Sequence, residues 1–207
     1  MKKPPLPLPA QNADGSYTFH AGMAIDGDGA NGQSGDPVYA PKGWGETLDY
    51  LANAGGPGDW YGVVTDNGES DGEPVTQGPN DPAPGAFISA TSYEHAGFAR
   101  TDPRRYVDAN AVPYFVIPSH WRREAVGVVL GCRGEITDTH TGVTTACGVL
   151  DFGPKAKCGE ASIAAARLHG VPCSPKNGGT EEKRFTYTFW PGEPAVIDGE
   201  EYELKPA

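Results

Sequence analysis

Two carboxylates, Asp151 and Glu160, stand nine positions apart in V-L-D-F-G-P-K-A-K-C-G-E-A-S, residues 149–162. Two carboxyl groups aimed at one bond can divide acid and base work: one protonates a leaving group, the other takes a proton from water. Whether this pair can meet depends on the elements around it. The run Val143–Leu150 reads as a strand that delivers Asp151 to its end. Phe152-Gly153-Pro154 then stops the strand, because proline lacks the ladder donor and glycine relaxes the backbone. A helix is expected from about Gly159 through A-S-I-A-A-A-R-L-H, ending at Gly170 with Pro172 beyond it. On that reading Glu160 lies in a first helical turn, where the helix dipole and nearby Lys155 and Lys157 would lower its pKa. The bland roles stay open, since an acid in a first turn also caps a helix and an Asp after a strand also caps a turn.

Further candidates are thinner. The expected strand Ser16–Ile25 runs into D-G-D-G-A-N-G, which presents Asp26 and Asp28. This run departs from a calcium loop, because Ala30 occupies a ligand position and no Glu closes it, so no metal is assigned. Trp60, Tyr114 and Trp44 are candidate platforms for a flat ligand, although large aromatics more often fill a core. The five histidines form no Ser/His/Asp or Cys/His set, and Cys158 with His169 has no residue to orient the ring. No cofactor is expected.

Composition narrows the partners. A net charge of −11 argues against nucleic acid. The excess is local: residues 21–100 hold twelve Asp and Glu against only Lys42 and Arg100. Such a field solubilises a surface, and it also draws in a polycation. No stretch is long and apolar enough to span a membrane. The start, M-K-K-P-P-L-P-L-P-A, has the basic beginning of an export signal but no apolar stretch after it. The four cysteines contain no C-x-x-C, so a zinc knuckle is not expected. Cys132 and Cys147 flank a hairpin turning near Thr139–Gly142 and could be bridged across it. Cys158 and Cys173 bracket the expected helix and should not pair with each other.

Residues 1–15 read as a Pro-rich arm and 16–207 as one domain. Within it, Thr47–Ala54 reads as a short helix, and Trp60–Thr65, Ala86–Ser92 and Val112–Ile117 as strands. Val126–Leu130 and Val143–Leu150 read as hairpin arms, Phe185–Trp190 as the clearest alternating strand, and Glu201–Leu204 as a weak one. With 29 Gly and 20 Pro among 207 residues, turns dominate, so a mainly β barrel or sandwich is expected.

The segment L-D-F-G-P-x-x-x-x-G-E-A-S resembles the A-D-x-G-P…G-E-x-S segment of glycoside hydrolase family 75, the chitosanases. M-A-I-D-G-D-G-A (23–30), L-D-Y-L-A-N-A-G (48–55), W-Y-G-V-V-T-D-N (60–67), Q-G-P-N-D-P-A-P-G (77–85), T-D-P-R-R-Y-V-D-A (101–109) and V-P-Y-F-V-I-P (112–118) are similar to blocks of bacterial members, in the same order. The resemblance implies a compact six-stranded barrel of the double-psi type with one or two short helices and long Gly/Pro-rich loops. It implies an endo-acting, inverting hydrolase of β-1,4-linked glucosamine polymer, with Asp151 and Glu160 as the pair and their roles open. Asp26, Asp28, Trp60, Tyr114 and Lys155 are then candidates to bind the polysaccharide. A secreted or cell-envelope monomer is expected. Two rivals stand beside this reading: a hydrolase of another amino-sugar polymer such as peptidoglycan, and a carbohydrate-binding module without activity.

Overall fold

A computed structural model describes residues 3–42 and 46–206. Its frame is a closed six-stranded mixed β-barrel with two short helices. The strands are β1 (Tyr17–Asp26), β4 (Tyr114–Pro118), β5 (Cys132–Asp138), β6 (Thr144–Gly153), β7 (Glu160–Ser162) and β8 (Thr180–Ile197). Around the barrel the order is β1-β7-β4-β6-β5-β8, and β8 pairs back with β1 to close it. Pairs β1/β7 and β4/β6 are parallel, and the other four are antiparallel. A two-stranded ribbon, β2 (Gly55–Gly56) with β3 (Asp59–Trp60), and a short β9 (Glu200–Tyr202) against β8 complete the strands described.

Period-two alternation builds the barrel interior. Phe185, Tyr187 and Phe189 of β8 point inward, as do Tyr17, Phe19, Ala21 and Met23 of β1. Register locks them together, since Tyr187 lies opposite Phe19 in β1 and Ile136 in β5. The Phe19 and Tyr187 rings stack at 4.9 Å, and Phe115 meets Tyr187 edge-on at 5.4 Å.

The outer face of β4 and β6 is covered as well. Tyr114, Val116 and Leu150 pack there against Val38, Tyr39, Val107 and Ile163, forming a second core. Most of the cover is the long connection between β1 and β4, with Ile163 added from the helix that follows β7. The connection contains two 3₁₀ turns (Leu51–Ala54 and Pro103–Arg105), the β2/β3 ribbon and isolated bridges such as Val63 to Ser89 and Thr76 to Phe87.

Several expectations change. Thr47–Ala54 is reduced to the 3₁₀ turn, Trp60–Thr65 supplies the end of β3 and single bridges at Val63 and Thr65, and Ala86–Ser92 supplies single bridges at Phe87 and Ser89 rather than a full strand. The first hairpin arm is Cys132–Asp138, not Val126–Leu130. Cys132 faces Pro194 and Cys147 faces Gly134, so the two are not cross-strand partners and all four thiols are free. The main helix, α2 (Ile163–Leu168), begins later than expected; the short α1 is Trp121–Glu124. The Ser162 hydroxyl caps α2 by accepting from the Ala165 amide at 3.1 Å, and it donates to the Val112 carbonyl at 2.8 Å. Glu160 is therefore on β7, ahead of the cap. The N-terminal arm is docked: the Leu6 amide donates to the Lys155 carbonyl at 2.8 Å, and His120 Nε2 donates to the Leu6 carbonyl at 2.6 Å.

Candidate active site

One residue of β4 organises the site. Val116 is in register with Asp151 of β6 on one side and with Glu160 of β7 on the other. Adjacent strands lie about 4.8 Å apart, so the two acids start from Cα atoms about 10 Å apart across β4. Cross-strand partners share a face, which turns both side chains to the same side of the sheet. A ladder irregularity between Phe115 and Val116 brings Asp151 into this row in place of Leu150.

Two glycines make the geometry possible. Gly159 has φ +83°, a left-handed turn that swings the chain into β7 immediately before Glu160. At Gly153 a Cβ would meet Val116 Cγ1 at 3.0 Å and sit 3.7 Å from Glu160 Oε2, so a side chain would crowd the space between the strands.

β1 brings a second pair of acids. It runs parallel to β7, with Asp26 opposite Ser162, and the turn after it presents Asp28. Asp26, Asp28 and Asp151 each place a carboxylate oxygen within 4.8 Å of the others. Asp26 Oδ1 accepts from the Asp28 amide at 2.8 Å, and Asp28 Oδ1 accepts from the Ser89 hydroxyl at 3.0 Å. Asp151 Oδ1 accepts from the Ser92 amide at 2.8 Å, from the Ser92 hydroxyl and from the Phe152 amide at 2.7 Å.

Burial raises the pKa of all four carboxyls. Asp26 and Asp28 are pushed well above the carboxylate range, by burial first and then by neighbouring negative charge. Glu160 is raised by burial and then by Asp151, with Lys157 acting the other way. For Asp151 burial is opposed by the three donated hydrogen bonds, which favour its charged form. Asp151 thus accepts more hydrogen bonds than the other three, and its negative charge is among the causes that raise each of them. The helix terminus expected to lower Glu160 is absent, because the residue is on a strand.

The four acids line one cleft of about 700 Å³. Asp49, Asn53, Tyr39 and Tyr61 form the wall contributed by the long connection, and Lys157 and Pro175 part of the other. Asp151 itself is only 6% exposed, so it is reached through this cleft.

The remaining candidates fall elsewhere. Tyr114 is fully buried, and its hydroxyl donates to the Asp28 carbonyl at 3.0 Å. It buttresses the acidic turn and cannot stack on a ligand. Trp60 packs on Phe87, with ring centres 6.3 Å apart, and lines a separate depression beside Glu69 and Arg100. Lys155 is exposed and engaged through its backbone by the arm, while Lys157 lines the cleft. Trp44 is outside the described residues. Sequence reasoning missed Tyr61, which is 70% exposed at the cleft, together with Asp49, Asn53 and Ser92. Tyr61 directly follows Trp60, and it borders the depression beside Glu69 and Arg100 as well as the cleft. No family model matches this chain, and no curated protein matches it.

Proposed function

We propose that the protein is a glycoside hydrolase that cuts β-1,4-linked amino-sugar polymer, chitosan first, by inversion. The observation that carries this reading is the register of Asp151 and Glu160 on either side of Val116. Strand spacing of that kind suits two carboxyl groups about 6.5–9.5 Å apart, with a water between one of them and the sugar.

Asp151 is the general base. Its hydrogen bonds favour the ionised form, which can take a proton from the attacking water. Glu160 is the general acid. Burial and the Asp151 charge keep its proton on, ready for the leaving oxygen. Asp26 and Asp28 hold the sugar beside the pair, and Tyr61 offers it a flat apolar face. The charge of Asp151, with Asp49 and Glu181 on the cleft wall, favours an ammonium-bearing chain over a neutral one. A polymer substrate implies action outside the cell or in its envelope.

The experiment is a reducing-end assay on chitosan, chitin and purified peptidoglycan. Release from chitosan at the highest rate is expected. Release from peptidoglycan alone would move the substrate to the wall polymer, and release from none would leave a binding module.

A further inference from the structure

A second pocket, of about 480 Å³, opens directly beside the cleft and has the opposite charge. The two share Phe152, and Ser92, which holds Asp151, lines the second pocket. Arg105, Arg122 and Lys205 line it, against Glu94. The chain has only 16 Lys and Arg against 27 Asp and Glu, so three cations converging next to the acidic site run against its overall charge.

Their pairing leaves capacity for a ligand. Arg105 is neutralised by Glu94 at 2.5 Å, yet its Nε is buried with no hydrogen-bond partner. Lys205 pairs with Glu203, whose side chain is 75% exposed, an ion pair of little strength in water. Arg122 makes no ion pair among the described residues. Its guanidinium lies over the Phe152 ring, 5.6 Å from the centre, and that stacking holds the planar fork in place beside the cleft.

We infer that this pocket is a subsite for a carboxylate carried on the sugar adjoining the cleaved bond. The inference rests on Asp151 and Glu160 being the reacting pair, and it deepens that reading. The amino-sugar polymers that the cleft takes then include those in which an acidic sugar neighbours the amino one. A fixed guanidinium with two N–H groups suits a carboxylate bidentately, whereas an ammonium-only polymer would leave it unpaired. The carboxylate has two possible sources, a 3-O-lactyl ether on the amino sugar or a uronic acid.

The test uses the full chain carrying Glu160→Gln, so that bound sugar is not cut. Calorimetry measures its affinity for four β-1,4-linked disaccharides, each containing glucosamine: one with a lactyl ether, one with a uronic acid, and the methyl ester of each acid as controls. At least one acid should bind about tenfold more tightly than its ester, and adding Arg122→Gln should abolish that preference. The acid that is preferred identifies the source. Equal affinity for acid and ester would overturn the subsite, whether or not chitosan is cut. A preference that survives Arg122→Gln would overturn the assignment to this pocket. A preference for the acid with no hydrolysis of any polymer would instead overturn the glycosidase reading and leave an anion site standing.

Discussion

The two faces of β4 obey different rules. Its inner face carries Phe115 and Ile117, fully buried among stacked aromatic rings with no polar atom to satisfy. Its outer face carries Val116 between Asp151 and Glu160, with Asp26 and Asp28 close by. The inner face is consistent at every level, from alternation to register to ring packing. The outer face gathers like charges where burial penalises them. Aromatic ring packing is concentrated on one side of a five-residue strand, and the chemistry lies on the other beside a second core, which is where a functional site is expected to break the local rules.

Substitutions separate the two faces. The largest effect is expected from Asp151→Asn and Glu160→Gln, each lowering kcat on chitosan by about 10²–10⁴-fold, since each removes a proton carrier without changing shape. Thermal unfolding should show the melting temperature unchanged or raised in both. Either variant turning over at a near-normal rate would remove that residue from the pair. Phe115→Ala is expected to do the reverse. It should cost about 3–5 kcal/mol of stability in denaturant unfolding, while activity per folded molecule is retained below the transition. Loss of activity in a fully folded Phe115→Ala protein would erase the division between the faces.

Asp26→Asn gives a smaller and pH-dependent effect. The Asp26 pKa is raised in the folded protein, so its contribution to stability is full below the unfolded value and is lost as pH rises through the folded one. The substitution should therefore leave the melting temperature unchanged near pH 3 and raise it by a few degrees at pH 8. About 1 kcal/mol corresponds to about 2–4 °C for a chain of this size. A loss of stability at pH 8 would mean that Asp26 is not held as a strained acid.

The inner face was legible in the sequence for a physical reason. F-T-Y-T-F-W alternates because only one side of β8 is buried, and the S-Y-T-F-H-A-G-M run does the same for β1. V-P-Y-F-V-I-P carries no such alternation, since β4 is buried on both sides. That is why Tyr114 could be mistaken for a ligand platform. That Asp151 lies near the end of a strand was readable from F-G-P, although β6 runs on through Phe152 and Gly153 and stops only at Pro154. The strand under Glu160 was not, because A-S-I-A-A-A favours helix and the three-residue β7 exists only through its pairing with β1 and β4. The long connection 27–113 left little trace, because it is held by single bridges and side-chain hydrogen bonds with no period to read.

The central claim, two carboxyl groups held across one strand with room for water, is tested most directly by proton NMR of the first product released from chitosan. Inversion at a β-linkage gives the α-anomer before mutarotation, and that is the result predicted. The β-anomer appearing first would mean that the two groups stand close enough for a covalent intermediate, and would contradict the geometry on which the proposed mechanism rests.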